Sequence, residues 1–308
     1  MKIAVVGTGA MGSIYAGLLA ESGNQVWAVD VYQEHIKQIN LNGLKIQGPS
    51  GDRIVKTIMA VDDLSYANKC DLYIIATKSR HVVEAAMAVG RHMRQDSIIL
   101  AIQNGLGAEE KIIQFLPKEN LIRGVADGFG ASLRAPGHVH HSAMNLIRLG
   151  ELNGFTTPRI LALENLWNDA GFNVRVFDNI EKLVWEKFIC NVTFSGPCTI
   201  FNCSIAELMS NKEYWLIALG CGREAHQVAV VKGISLSFAD VDVYVTEFGK
   251  KLGTALPSML QDHNLKRVSE VDALNGMVHA LGLENGIDTP YNNILSTIIK
   301  ARERSFES

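Results

Sequence analysis

The chain has 308 residues, 47% of them hydrophobic and 20% charged, with a formal net charge of −3 at pH 7. That composition excludes a disordered chain, which needs low hydrophobicity and high net charge. No stretch approaches the ~18 apolar residues of a membrane span, and the slightly acidic balance offers no basic face for nucleic acid, so neither membrane nor nucleic acid is expected as a partner.

The chain opens on a β-branched apolar run, Lys2–Val6, followed at once by Gly7-Thr8-Gly9-Ala10-Met11-Gly12. Ser13–Glu21 then places Ile14, Leu18 and Leu19 at helical spacing and stops at Ser22-Gly23. Gln25–Asp30 is a second apolar strand, which completes a strand–helix–strand unit. Leu72–Ala76, Ser97–Ile102 and Leu121–Val125 repeat the strand pattern with helical patterns between them, as in a parallel sheet covered by helices on both faces. From Asn179 the pattern is mostly helical: Ile180–Phe194, Glu213–Val231, Val241–Leu252, Ser269–Leu283 and Ile294–Arg304. The expected fold class is α/β, with a Rossmann-like doubly wound domain over residues 1–175 and an all-helical domain over 176–308. Cys70, Cys190, Cys198, Cys203 and Cys221 are odd in number, follow no metal-finger spacing, and read as reduced thiols of a cytoplasmic chain. The N-terminus carries no signal-peptide pattern.

Gly7-x-Gly9-x-x-Gly12 lies between a strand and a helix, where a dinucleotide fingerprint must lie. Gly7 permits the tight turn, Gly9 lets backbone approach a pyrophosphate, and Gly12 allows close helix packing. The helix N-terminus offers N–H groups and the positive end of a dipole. Asp30, ~20 residues further on, can accept hydrogen bonds from a ribose and would repel a 2′-phosphate. It could equally be a surface aspartate ending a strand. No arginine follows it, since Val31, Tyr32 and Gln33 come next, so NADH is expected over NADPH. Lys78 and Asn104 follow predicted strands at their carboxyl ends, where doubly wound folds bind ligands. Each also has an ordinary reading, a solvated loop lysine and a turn asparagine.

In the predicted helix around residues 180–194, Lys187, Asn191 and Ser195 are spaced four apart and share one polar stripe among Leu183, Val184, Phe188, Ile189 and Val192. Such groups in an apolar helix are costly unless they face a ligand or one another. A surface face with a snorkelling lysine is the alternative.

The Gly7–Gly12 fingerprint, Gln103-Asn104-Gly105, the Lys187…Asn191 helix, Pro257-Ser258-Met259-Leu260-Gln261-Asp262 and Ser269-Glu270-Val271-Asp272-Ala273-Leu274-Asn275-Gly276 occur in this order along the whole chain. Together they resemble the ketopantoate reductase (2-dehydropantoate 2-reductase) family. The resemblance implies hydride transfer from NAD(P)H in a cleft between the domains. It implies Lys187 as catalytic lysine, Glu270 as catalytic acidic residue that also contacts the cofactor, and Ser258 as substrate-binding serine. Asn104 and Asn191 would contact the substrate. A third family asparagine is replaced by Ser195, which reshapes the substrate pocket, and the arginine that usually meets the 2′-phosphate is missing. NAD-dependent D-mandelate dehydrogenases share the two-domain plan and form the runner-up.

Reduction of a ketone builds negative charge on its oxygen, which a positioned ammonium stabilises and protonates. Lys187, with polar residues at i+4 and i+8, is the residue chosen for that task. Glu270 could accept from a hydroxyl, or could simply suit a helical first turn, with Ser269-x-x-Asp272 as a capping box. Ser258 could cap the short helical run after Pro257. His138, His140 and His141 lack a further ligand, and no metal is expected. The arginine-to-glycine turn Arg134–Gly137 before them implies a surface strand. The long apolar helices are compatible with a homodimer. A dinucleotide-binding sensor without catalysis is the reading from another class, and it would need none of Lys187, Asn191, Ser258 and Glu270.

Overall fold

Strand β1 (Lys2–Val6) is apolar on both faces, and both are buried. Ile3 and Val5 enter one core, Ala4 and Val6 another. That is the pattern of a strand inside a sheet covered on both sides. The computed structural model describes residues Met1–Phe306. The remaining strands in chain order are β2 (Gln25–Val29), β3 (Leu44–Gln47), β4 (Arg53–Val55), β5 (Ile58–Val61), β6 (Leu72–Ile75), β7 (Ile98–Ala101), β8 (Leu121–Asp127), β9 (Gly130–Ala135), β10 (His138–Ala143), β11 (Leu146–Glu151) and β12 (Val174–Val176).

One sheet has the order β12-β11-β8-β7-β6-β1-β2-β5. The chain runs outward from β1 to β5, then returns to the other side of β1 at β6, so the topological switch point lies between β1 and β6. The sheet is mostly parallel, with one departure from the expectation: β8 and β11 pair antiparallel. The chain between them is taken up by β9 and β10, which pair antiparallel, rather than by the helix that usually carries a parallel crossover. Of a second sheet, β4-β3-β10-β9, only the histidine strand β10 was among the expected elements.

Helices α1 (Ala10–Glu21), α2 (Gln33–Asn42), α3 (Val82–His92), α4 (Ala108–Ile112) and α5 (Pro158–Asp169) accompany these strands. The helical region holds α6 (Ile180–Phe201), α7 (Ile205–Ser210), α8 (Lys212–Val231), α9 (Val241–Leu252), α10 (Ser258–Asn264), α11 (Asn275–Asn285) and α12 (Pro290–Glu303). Contacts divide the chain into a first unit, Met1–Gln103 with Ala108–Ile180, and a second, Asn104–Gly107 with the chain from Glu181 onward. A linear boundary near residue 175 does not anticipate that Asn104 belongs with the second unit.

Three helix boundaries depart from the sequence pattern. Helix α6 runs on to Phe201 through Pro197, although an interior proline costs ~3 kcal/mol or more by removing a donor and crowding the preceding turn. Burial of the surrounding turn, with Phe194 and Cys198 in the second unit's core, offsets that cost. The expected helix from Ser269 is instead a 3₁₀ turn, Val271–Ala273, then α11. The Ala273 carbonyl accepts the Leu106 N–H at 3.1 Å and is diverted from the helical ladder. Helix α12 starts at Pro290 rather than Ile294, because the buried Glu224 carboxylate accepts the first-turn N–H groups of Tyr291 and Asn292.

Candidate active site

In the first unit, the loop after β1 adopts φ +89° at Gly7, and a Cβ there would lie 2.6 Å from the Thr77 nitrogen. The loops after β1 and β6 therefore touch at the switch point. A Cβ on Gly12 would overlap the Gly7 carbonyl oxygen, so Gly12 lets α1 close on the turn itself. A Cβ on Gly9 would meet nothing within 4 Å, so backbone there faces open space. Ser13 makes the first intrahelical bond, to Gly9. The N–H groups of Ala10, Met11 and Gly12 lie ahead of it and have no acceptor one turn back in the helix.

Behind the loop, Ser13 Oγ donates to the Thr8 carbonyl at 2.7 Å and accepts from His35 Nε2 at 3.0 Å. His35 Nδ1 in turn accepts the Gly137 N–H at 2.9 Å, which fixes the hydrogen on Nε2. Burial holds the His35 imidazole below its ordinary value, against the opposing pull of Asp30. Asp30 follows β2, is half-buried, and accepts the Tyr32 N–H at 3.0 Å. Lys78 is half-buried in the loop after β6, just before the Ser79–His81 turn.

Thr8 Oγ1, Thr77 Oγ1 and Gln103 Oε1 are buried with no hydrogen-bond partner. They follow the adjacent strands β1, β6 and β7 at their carboxyl ends. Buried polar atoms are normally satisfied, and three orphans beside a glycine turn and a helix N-terminus fit a bound dinucleotide. Ser13, His35, Thr77 and Gln103 were absent from the candidate residues. Thr77, beside Lys78, and Gln103, beside Asn104, carried a local signal, because each lies in a loop after a predicted strand.

In the second unit, Lys187 Nζ donates to Asn104 Oδ1 at 2.8 Å. Lys187 and Asn191 are half-buried and Ser195 is 4% exposed, along one face of α6. Their neighbours Val184, Trp185, Phe188, Cys190 and Val192 are buried. Asn104 is held by its glycine: Gly105 has φ +81°, and a Cβ there would overlap the Ala273 carbonyl oxygen. That same carbonyl accepts the Leu106 N–H, and the Ala273 N–H bonds back to the Glu270 carbonyl at 3.0 Å. The turn bearing half-buried Glu270 is thus braced against the segment bearing Asn104.

Ser258 opens α10 as an exposed first helical residue above buried Met259 and Leu260. It does not cap the helix; Pro257 occupies that position with no side-chain bond. Nor do Ser269 and Asp272 form a capping box, since Ser269 Oγ accepts the Val271 N–H across a two-residue turn instead. The histidine strand is only partly superficial: His141 is fully buried, and His138 bonds Gln47 through Nε2 at 2.6 Å. Among the described residues no helix is long and apolar enough to cross a membrane.

The model of ketopantoate reductase PanE/ApbA matches residues 3–154, and that of the family's C-terminal part matches residues 179–303. The chain belongs to the ketopantoate reductase family. This family comprises NAD(P)-dependent oxidoreductases acting on a keto group. The chain is 30% identical to a 2-dehydropantoate 2-reductase of Pyrococcus abyssi, over 98% of both chains. It is 27% identical to the Streptococcus pyogenes enzyme of that name, again over 98% of both. Among solved structures it superposes on a D-mandelate dehydrogenase holding NADH and anilino(oxo)acetate, with TM-score 0.92 and 29% identity over 100% of both chains. A family member from Ralstonia eutropha gives TM-score 0.91 at 25% identity, also over 100% of both. The mixed sheet and helical second unit are the ketopantoate reductase fold.

Proposed function

We propose that the protein reduces a small 2-keto acid, ketopantoate first of all, to its (R)-2-hydroxy acid, with NADH preferred and Lys187 as general acid. The observation that carries this reading is the Lys187–Asn104 hydrogen bond at 2.8 Å. An apolar helix holds an ammonium half out of water, and an amide oxygen aims it. In this reading the first unit binds the dinucleotide and the second binds the keto acid. Bound NAD(P)H supplies the hydride.

The Gly7–Gly12 loop and the start of α1 hold the pyrophosphate with backbone N–H groups. Asp30 accepts from the adenosine ribose and disfavours a 2′-phosphate, and Lys78 and Asn104 assist the cofactor. As the carbonyl carbon gains its new C–H bond, the C=O electron pair moves onto oxygen. Lys187 stabilises that charge and delivers its proton there, then regains one from solvent. Asn104, Asn191, Ser195 and Ser258 orient the substrate, and Glu270 accepts from a hydroxyl of substrate or cofactor.

A second reading, reduction of an aryl 2-keto acid as in the D-mandelate dehydrogenases, is favoured by the short Ser195 side chain beside Asn191 and by Asp30. Initial rates with ketopantoate and benzoylformate, each with NADH and NADPH, separate the two. Ketopantoate with NADH is expected to give the highest kcat/KM. A 100-fold lead for benzoylformate, about 2.7 kcal/mol of differential binding, would transfer the assignment. Absence of turnover with both acids and both cofactors would overturn it.

A further inference from the structure

One carboxylate on the last long helix is tied to both turns that carry Ser258 and Glu270. Glu303, near the end of α12, is buried, and its Oε1 accepts two hydrogen bonds. One comes from the backbone N–H of Ser269 at 2.8 Å, the residue immediately before Glu270. The other comes from His263 Nε2 at 3.0 Å, on the helix that Ser258 opens. An ionised carboxylate only accepts, so Nε2 carries the hydrogen. The rings of His263 and Phe306 pack nearly perpendicular to each other, with centroids 5.1 Å apart.

Helix α10 has only seven residues, too few to hold a direction by backbone bonding alone. Its N-terminal half is anchored by Met259 and Leu260 in the core. Past it, Leu265, Lys266 and Arg267 are exposed, with Lys266 at φ +51°. His263 is a polar anchor of its C-terminal half and joins it to α12. The Glu270 turn is similarly short, a single 3₁₀ turn. A second tie from α12 reaches it through the Lys300–Asp272 ion pair, which is largely exposed and contributes little for that reason. The two Glu303 bonds are buried, where a hydrogen bond is stronger than one made in water.

We infer that Glu303 is a positioning residue for the keto-acid site: through one oxygen it sets the orientation of α10, hence of Ser258, and the spacing of the Glu270 turn from it. This rests on the roles given above to Ser258 and Glu270.

The test compares Glu303→Ala, Glu303→Gln and His263→Leu in the full chain, with Ser258→Ala and Glu270→Gln alongside. Steady-state KM and kcat for the keto acid, the NADH dissociation constant and amide exchange of residues 258–272 are measured for each. Glu303→Ala is expected to raise keto-acid KM about tenfold and speed exchange at Ser269. Glu303→Gln, whose amide oxygen can accept both bonds, is expected to restore most of the KM. His263→Leu removes only the α10 tie; it is expected to raise KM severalfold and is decisive should Glu303→Ala not fold. Unchanged KM in His263→Leu or in folded Glu303→Ala, while Ser258→Ala and Glu270→Gln are impaired, would overturn the inference. If instead those two variants are themselves unimpaired, the failure belongs to the roles assigned to Ser258 and Glu270. The exchange at Ser269 then decides the brace alone.

Discussion

Lys187, the general acid of the proposed reaction, shows what a single side chain needs from its surroundings to be held in place. Its ammonium sits on a helix face whose flanks are buried, and the Asn104 amide oxygen takes one of its hydrogens at 2.8 Å. A lysine with no such partner would lose about 2 kcal/mol of rotamer entropy on being held still. Here the orientation is set before any substrate arrives, which is what transition-state stabilisation by a fixed charge requires. Lys187→Ala is expected to lower kcat by roughly 10²–10⁴-fold, the range for loss of a positioned acid. Its melting temperature and NADH affinity should stay close to the parent's. Stopped-flow reduction of the keto acid with the variant checks this, and a kcat within threefold of the parent removes Lys187 from the mechanism. The polar stripe that carries Lys187 was legible from spacing alone. Its partner was not, because Asn104 lies 83 residues away and Asn-Gly by itself announces only a turn.

At the scale of elements, the glycine loop shows how a motif is used twice. Gly7 and Gly12 serve packing: one abuts the loop after β6, and the other lets α1 close on the turn. Gly9 faces open space, where a side chain would meet nothing, and in the proposed function that space takes the pyrophosphate. Gly12→Ala must displace the Gly7 peptide, which is backbone and cannot swing aside as a flexible side chain can. The expected outcome is at least a tenfold rise in the NADH dissociation constant, read by quenching of NADH fluorescence. Gly9→Ala, by contrast, should fold as the parent does and fail only on binding. The second helical region shows the reverse case, in which tertiary contacts overrode local pattern. The helix expected over Ile180–Phe194 continues through Pro197 to Phe201, and Ser269–Leu283 reads as one helix and is broken where Ala273 turns its carbonyl to Leu106.

Across the whole molecule, buried titratable groups couple stability to pH. His35 is held neutral by burial, below its ordinary value of 6.5. His141 and His226 are displaced in the same direction, also by burial. For such a group the unfolded chain binds the proton more readily than the folded one. Its contribution is fully present above about pH 6.5 and is lost as the pH falls through the lower folded value. Protonation of His35 would also set a second N–H against the Gly137 N–H, breaking the line from Gly137 through Ser13 to the Thr8 carbonyl. Melting temperature is therefore expected to fall from pH 7.5 to 5, with NADH affinity falling alongside. The slope should be shallower in His35→Gln, and an equal slope in that variant would assign the effect to other groups.

Taken alone, the sequence determined what local chemistry can determine. Apolar runs of strand length, a glycine turn between strand and helix, and a four-residue polar spacing are patterns within one or two turns of chain, and each forms from nearby residues. Tertiary structure decided the rest. It set the antiparallel place of β11, the second sheet, the return of Asn104–Gly107 to the helical unit, and the Lys187–Asn104, Gly137–His35 and Ser269–Glu303 bonds. Those bonds join residues 83, 102 and 34 positions apart. A hydrogen bond depends on about 3 Å of space rather than on distance along the chain, so no spacing rule contains it until the core has brought its two ends together.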